Sequence, residues 1–171
     1  MSADAPEPAL PVEALSAAAF APFGELIAVD AAARHFPING GSTERYHDLA
    51  RLQPGPDGRL IVSIFRAQPR RLPLRIEMLE RHPLASQAFV PLSGRPYLVV
   101  VARPGTAPAA GELRAFLAAG DQGVNYAPGV WHHPLLALEA VSDFLVLDRS
   151  GPGGNCDECR IAPPRLLRMP D

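Results

Sequence analysis

Two separated segments of this 171-residue chain carry side chains that could bind a metal ion or transfer protons. In the first segment, Glu80 and His82 stand two residues apart, so on a β-strand their side chains point to the same face. Gln87 follows a few residues later. The second segment, PGVWHHP at positions 128–134, contains His132. We expect the two segments to meet in one cavity, where Glu80, His82 and His132 act as acid/base groups or as metal ligands.

Several other polar side chains are candidates for holding a small substrate. If LIVSIFRA (60–67) is extended, Arg66 shares a face with Val62 and Ile64, and a guanidinium beside apolar residues requires an anion. That anion is either a fixed internal acid or the carboxylate of a substrate. The further candidates for substrate contacts are Gln68, Arg45, Asn125 with its neighbour Tyr126, and Gln87.

The adjacent residues His132 and His133 should point to opposite faces of a strand. The spacing from Gly129 favours His132 as the inward residue, which leaves His133 as structural or exposed. Trp131 is expected to be a packing residue.

The elements that must position these groups are short strands separated by turns. Strands are predicted at GELIAV, ERYHDLA, LIVSIFRA, RIEMLERH, SQAFVPL, PYLVVVA, VNYAPGVWHH, LLALEAV and DFLVLDR. Helices are predicted only at 13–19 and 112–119. This pattern indicates an all-β sandwich or barrel. We expect one domain over residues 1–171, with an N-terminal extension of about 1–11 and a C-terminal tail of about 158–171.

The spacing of the two polar segments resembles the two short motifs of the cupin superfamily. In that resemblance Glu80 stands where the first family histidine is expected, Gln87 takes the place of the family glutamate, and His132 that of the last histidine. Longer phrases resemble the ureidoglycolate lyase family. They are INGGSTERYHDLA, FRAQPRRLPL, LERHPLASQAFVPL, GDQGVNYAPGVWHHPL and DFLVLDRSGPGGNCD. The resemblance as a whole runs from about Val12 to Asp157.

The resemblance implies a cupin-type double-stranded β-helix or β-barrel with a few short helices. It also implies a cytoplasmic homodimer of allantoin catabolism that splits ureidoglycolate into glyoxylate and urea. The divalent metal that it suggests, nickel, would be bound by Glu80, His82, Gln87 and His132, although a neutral glutamine amide is a weak ligand. Activity without a metal is the alternative, with the same side chains transferring protons.

Composition restricts the alternatives. The formal net charge of −2 gives no positive field for a nucleic-acid backbone, and no apolar run is long enough to span a membrane. The chain has no lysine, which excludes Schiff-base chemistry. Cys156 and Cys159 form a CDEC sequence without further ligands nearby, so we expect no metal or redox role for them.

Two other functions are compatible with the same residues. An amidohydrolase acting on the same compound would release ammonia and carbon dioxide instead of urea. A non-catalytic cupin would bind a small carboxylic acid without turnover.

Overall fold

The computed structural model describes residues 9–169. In chain order the strands are β1 (Ala9–Leu10), β2 (Val12–Ala14), β3 (Gly24–Ile27), β4 (His35–Ile38), β5 (Thr43–Tyr46), β6 (Arg59–Ala67), β7 (Leu74–Arg81), β8 (Gln87–Pro91), β9 (Tyr97–Ala102), β10 (Arg114–Ala118), β11 (Gly123–Tyr126), β12 (Trp131–His132), β13 (Leu136–Ala137), β14 (Ser142–Ser150) and β15 (Asp157–Leu167). The helical elements are α1 (Ala17–Phe20) and two 3-10 turns, Asn39–Gly41 and Ala110–Glu112.

Two sheets enclose the interior of the molecule. The larger sheet has the order β1-β15-β7-β12-β9-β10-β2, with β13 also paired to β9, and the smaller sheet has the order β3-β11-β8-β14-β6. Strands β4 and β5 form a separate two-stranded ribbon. Strands distant in sequence, such as β8 and β14, lie side by side. The predicted all-β barrel of cupin type is confirmed.

The central strand β9 shows why these segments are strands. Val99 and Val101 point into the core between the two sheets, whereas Val100 and Ala102 belong to a second core on the other face of the larger sheet. Both faces of β9 are therefore buried, and its sequence is a continuous apolar run rather than an alternating one.

The prediction of a helix at 112–119 is wrong. This segment forms the 3-10 turn and then β10, which pairs with β9 and β2. Phe116 and Ala118 face the core between the sheets, while Ala115 faces the second core. Burial on both faces requires the twofold alternation of a strand, and this outweighs the helical propensity of the segment.

The ends of the chain also differ from the prediction. Residues 13–19 form the end of β2 and the start of α1, whose N-cap Ser16 accepts a hydrogen bond from the Ala19 N–H at 3.2 Å. The segment expected to be a C-terminal tail supplies most of β15, a long strand paired with β7. Residues 1–8 of the expected extension lie outside the described residues, and β1 pairs with the end of β15. Within residues 9–169 no helix is long and apolar enough to cross a membrane.

Phe116 provides a test of the core between the sheets. Its side chain is 0% exposed, and its ring lies 5.9 Å from that of Phe20 and 6.1 Å from that of Phe23. We expect Phe116→Ala to lower the free energy of unfolding by about 3–5 kcal/mol, because it leaves a cavity. Urea unfolding measures this, with Val29→Ala as the control, since Val29 is 76% exposed. Equal stability of the two variants would contradict the assignment of Phe116 to the core.

Candidate active site

A cavity of about 380 Å³ opens between the two sheets. Its wall contains Phe65, Arg66, Ala67, Glu80, Gln87, Phe89, Tyr126, His132, His133, Pro134 and Leu135. Most of the polar side chains in this wall come from β7, β8, β11 and β12. The two phenylalanines come from β6 and β8. Six of these eleven residues carry polar side chains, and a cavity of this size and lining suits a small polar molecule.

The pairing of β12 with β7 brings the two polar segments together. His132 lies opposite Glu80 in the antiparallel register. Gly129, which has the positive φ of 80°, donates its N–H to the carbonyl oxygen of His82 at 2.9 Å. The segment predicted as one strand, 124–133, is therefore two strands joined by a turn, and this turn places His132 beside the end of β7.

Glu80 and His132 form the charged centre of the cavity. The Nε2 atom of His132 lies 3.5 Å from the nearer carboxylate oxygen of Glu80. His132 Nδ1 donates to the carbonyl oxygen of Val130 at 3.0 Å, so in a neutral ring the lone pair is on Nε2, a buried atom without a hydrogen-bond partner. The interaction with His132 lowers the pKa of Glu80 more than burial raises it. Glu80 is therefore a carboxylate facing an imidazole that can accept or carry a proton.

His82 lies behind this pair, next to Gln87. Its ring centre is 5.2 Å from that of His132. Its Nε2 atom lies 3.0 Å from the Gln87 side-chain oxygen, and its Nδ1 atom lies 2.7 Å from the Asn155 carbonyl oxygen. His82 is not part of the cavity wall, whereas Gln87 is. His82 thus contacts Gln87 and His132, which line the cavity, but does not line it itself.

Tyr126 supports the imidazole of His132. The two rings stack with their centres 4.3 Å apart and an angle of 12° between their planes. Burial raises the pKa of Tyr126 well above its usual range, so its hydroxyl stays protonated. Tyr126 and its neighbour Asn125 were both candidates for substrate contacts, but they point to opposite faces of β11, and of the two only Tyr126 lines the cavity.

His133, which was expected to be structural or exposed, is half-buried, and its side chain also lines the cavity. Strand β12 ends at His132, so the alternation of faces does not continue to His133. Its Nδ1 atom donates to the Pro134 carbonyl oxygen at 2.8 Å. Burial lowers the pKa of His133, which favours a neutral ring with a lone pair on Nε2. The alternation of side chains along a strand could not have identified His133 as a cavity residue.

Arg66 lies at the edge of the cavity and has an internal partner. Its guanidinium donates two hydrogen bonds, of 2.8 and 2.9 Å, to the carboxylate of Asp143. Of the two anions considered from the sequence, the structure contains the fixed acid. The Arg66 side chain is 70% exposed, so the pair lies at the surface and not inside an apolar wall.

The structure does not bring the remaining candidates to the cavity. Arg45 lies exposed on β5 of the two-stranded ribbon, and Gln68 is exposed beyond the end of β6. Asn125 is fully buried, and its amide donates to a Glu25 carboxylate oxygen at 2.8 Å and to the Arg51 carbonyl oxygen at 3.1 Å. Asn125 therefore joins β3 to the segment between β5 and β6, which contains Arg51. Trp131 is buried in the second core, as expected.

Glu80, His82 and His132 form a cluster in which one ligand atom from each lies within 4.8 Å of the others. This spacing is that of a metal-binding group of cupin type. His82 Nδ1 lies 2.7 Å from the Asn155 carbonyl oxygen, and a histidine that binds a metal ordinarily donates its second ring nitrogen to such an acceptor. Its Nε2 atom faces the Gln87 oxygen, a weak neutral ligand, so Glu80, His82 and His132 are the three side chains that would hold an ion.

The two cysteines of the CDEC sequence differ in exposure. Cys156 is exposed, Cys159 is partly buried, and both are free thiols. One potential ligand atom from each of Cys156, Glu80 and Glu158 lies within 4.8 Å of the others, so these residues form a second cluster with the spacing of metal ligands. Burial and the nearby carboxylates raise the pKa of the Cys156 thiol, which disfavours the thiolate that a metal needs.

Comparisons with known proteins give one consistent result. Residues 7–168 match the family model described as ureidoglycolate lyase. The ureidoglycolate lyase of Burkholderia cepacia is 59% identical over 152 residues, covering 88% of this chain and 85% of that protein. That of Azotobacter vinelandii is 61% identical over 150 residues (87% and 90%), and that of Pseudomonas putida is 56% identical over 159 residues (92% and 95%).

Among solved structures, a dTDP sugar isomerase from Desulfovibrio desulfuricans G20 is similar, with a TM-score of 0.48 and 18% identity, covering 83% of this chain and 88% of that chain.

The pKa of the Glu80 carboxyl provides a test of the interaction between Glu80 and His132. We expect His132→Gln to raise the pKa of Glu80, because the interaction that lowers it is lost while burial, which raises it, remains. Carboxyl NMR across an acid titration measures the pKa. The control is His35→Gln, since His35 is exposed on β4 and pairs with Glu44.

In the wild type, ionised Glu80 stabilises the fold above its unfolded-state pKa, and this stability is lost as the pH falls through the lower folded-state value. An unchanged Glu80 pKa in His132→Gln would refute the assigned interaction.

Proposed function

Because this chain belongs to the ureidoglycolate lyase family, we propose that it cleaves ureidoglycolate into glyoxylate and urea, a step of allantoin degradation. The observation that supports this most strongly is the Glu80–His132 pair at the wall of a cavity sized for a small molecule. Proton transfer by such a pair is the chemistry that this substrate needs.

Ureidoglycolate carries a hydroxyl, a carboxylate and the urea nitrogen on one carbon. When a base removes the hydroxyl proton, the oxygen forms a carbonyl bond to carbon, and the carbon–nitrogen bond breaks. The departing nitrogen then takes a proton and leaves as urea. The proton removed from oxygen balances the proton delivered to nitrogen, so the reaction needs no water and no other reactant.

We assign the base to the Glu80–His132 pair. The His132 Nε2 lone pair accepts the hydroxyl proton, and the adjacent carboxylate stabilises the imidazolium that forms. The same imidazolium can return the proton to the departing nitrogen. Tyr126, which stays protonated, is a donor for a substrate oxygen, and the neutral ring of His133 is an acceptor for the urea N–H groups.

Of the two arginines considered for the substrate carboxylate, Arg66 is the better candidate. It lies at the cavity wall, whereas Arg45 does not. A carboxylate that enters there would share the Arg66 guanidinium with Asp143, and a planar guanidinium has donors enough for both. Gln87 at the wall is a further contact, while Gln68 and Asn125 have no supporting geometry.

None of these steps uses a metal ion, and Glu80, His82 and His132 would hold one if it were bound. The divalent ion suggested by the family resemblance, nickel, and a cytoplasmic location stay predictions. A bound ion would supply a Lewis acid for the substrate hydroxyl.

A homodimer is the expected assembly, and β6 offers a surface for it. Among the described strands β6 pairs only with β14, so its other edge is open. On its outer face Val62 is 65% exposed and Ile64 is 54% exposed. An open apolar edge promotes aggregation unless it is covered. A second copy that presents its own β6 about a twofold axis would cover this edge with the same surface.

Product analysis tests the proposed reaction. With ureidoglycolate we expect equal amounts of glyoxylate and urea and no ammonia, and activity should persist after chelation of divalent ions. Ammonia in place of urea would identify an amidohydrolase. Binding of substrate without turnover above the spontaneous rate would identify a non-catalytic binding protein. Loss of activity on chelation, restored by nickel, would overturn the metal-free assignment.

The same assay tests the assigned residues. Glu80→Gln should fold and lose about 10²–10⁴-fold in turnover, because the carboxylate no longer stabilises the imidazolium. Glu77→Gln is the matched control, since Glu77 is an exposed glutamate on the same strand. Equal rates in both variants would exclude Glu80 from the reaction.

Light scattering coupled to size-exclusion chromatography tests the dimer. We expect the wild type to elute with the mass of two chains and Ile64→Glu with the mass of one, because a charge on the outer face of β6 would be buried without a partner. Val29→Glu is the control, since Val29 is exposed elsewhere. A dimeric Ile64→Glu variant would place the interface on another surface.

A further inference from the structure

Arg149, near the end of β14, is not part of the cavity wall, and the proposed reaction does not use it. Its guanidinium donates to the backbone of two loops, 53–58 before β6 and 151–155 after β14. We propose that Arg149 is a positioning residue that joins these loops, which together hold the β7–β8 connection, residues 82–86, against the cavity. The effect on turnover rests on the proposed function, whereas the effect on the β7–β8 connection does not.

The guanidinium of Arg149 binds three backbone carbonyl oxygens. Nη1 donates to the oxygen of Pro54, and Nη2 donates to the oxygens of Pro56 at 2.8 Å and Pro152 at 2.6 Å. Prolines have no N–H group, so loops that contain them have few backbone donors for their own carbonyls. A planar guanidinium with five N–H donors supplies both loops at once. A lysine ammonium is a point charge on a flexible stem and does not offer the same spread of donors.

Two glycines make room for this guanidinium. A Cβ atom on Gly58 would lie 1.9 Å from Nη1 of Arg149, and a Cβ atom on Gly151 would lie 2.9 Å from Nη2. The latter would also lie 2.8 Å from the Cα atom of Gly58, so the two loops meet at the guanidinium. Nε of Arg149 is buried without a hydrogen-bond partner, and the bonds made by the two Nη atoms therefore hold the group in place.

The loop before β6 is bonded to the end of the β7–β8 connection. The Gln53 N–H donates to Ser86 Oγ at 2.7 Å, and the Ser86 N–H donates to the Gln53 carbonyl oxygen at 3.0 Å. Ser86 is 1% exposed, so water does not replace these bonds. The next residue is Gln87, whose side chain lines the cavity. The position of Gln87 thus depends on where this loop lies.

The loop after β14 is bonded to the beginning of the same connection. The side-chain oxygen of Asn155 accepts the Leu84 N–H at 2.9 Å, and the Asn155 carbonyl oxygen lies 2.7 Å from His82 Nδ1. Asn155 follows Pro152, whose carbonyl binds the guanidinium, by three residues. Because one guanidinium binds both loops, it holds the β7–β8 connection at both ends.

The reacting pair depends less on this arrangement than the wall residue does. Glu80 lies in β7 and His132 in β12, and the pairing of these strands fixes the two residues opposite each other. Gln87 begins β8 directly after the β7–β8 connection, and it is a proposed contact for bound substrate. Loss of the Arg149 bonds should therefore weaken substrate binding more than proton transfer, which raises KM with little change in kcat.

Amide hydrogen exchange tests the structural part of the proposal. In Arg149→Lys we expect the Leu84 and Ser86 amides to exchange about 10–100-fold faster, because hydrogen bonds to charged groups contribute on this scale. The amides of β9 should exchange as in the wild type. Arg160→Lys is the matched control, since Arg160 is an exposed arginine on β15. Unchanged exchange at Leu84 and Ser86 in Arg149→Lys would overturn the proposal. Equal acceleration in β9 would also overturn it, because that result indicates a loss of global stability.

Gly58→Ala tests the same contact without changing the arginine. Its methyl group would collide with the guanidinium and with the Pro54 carbonyl that the guanidinium binds. We expect faster exchange at the Leu84 and Ser86 amides, as in the arginine variant. Gly111→Ala is the control, since a Cβ atom there has no neighbour within 4 Å. Wild-type exchange at both amides in Gly58→Ala would contradict the proposal. If one of the two variants does not fold, the other still decides.

Steady-state kinetics with ureidoglycolate test the functional part. We expect Arg149→Lys to raise KM by about 3–10-fold, the effect of one hydrogen bond to substrate, and to leave kcat within about a factor of two. Arg160→Lys should match the wild type. Faster exchange at Leu84 and Ser86 with an unchanged KM would overturn the positioning role of Arg149.

The two measurements separate this proposal from the proposed function. A wild type without lyase activity would refute the function, and the exchange data would still decide whether Arg149 holds the β7–β8 connection. An active wild type with unchanged exchange in both variants would refute the role of Arg149 and retain the function.

Discussion

The chemistry of the cavity depends on the pairing of two residues, Trp131 and His132, between β7 and β9. These two residues form the whole of β12. A strand this short does not set its own register, so contacts with the neighbouring elements fix it. On one side His132 lies opposite Glu80. On the other, Trp131 is buried in the second core, and the guanidinium of Arg81 lies 4.6 Å from the centre of its indole ring. Packing on the far face of the sheet thus holds the imidazole in place, and a slip of one residue would exchange the two side chains between faces.

The ionisable groups of the cavity differ in the protonation state that their surroundings favour. Burial keeps Tyr126 protonated and favours a neutral ring at His133, while the contact with His132 keeps Glu80 ionised. These shifts have different physical causes, namely desolvation for the first two residues and an opposite partner for the third. The absence of lysine leaves histidines as the side chains able to transfer protons near neutral pH.

The strands could be predicted from the sequence because most of them are short, apolar and bounded by glycine and proline. The candidate site could be predicted in part, since residues two apart on β7 and a histidine after a Pro-Gly turn suggested a common cavity. The helix at 112–119 was wrong, because a single sequence does not show that Ala115 and Phe116 face separate cores. The Asp143 partner of Arg66 and the Asp148 contact of Gln87 required the register of β14, which joins residues more than 60 positions apart.

The hydrogen bond from His82 to the Asn155 carbonyl has a consequence for the order of events during synthesis. The cavity wall is complete in sequence by residue 135, but the contact that fixes His82 comes from position 155, just before β15. A nascent chain therefore contains every proposed reacting group well before it can hold them in their final geometry. Pairings of such large sequence separation form slowly. The site should accordingly become ordered only when β15 docks on β7.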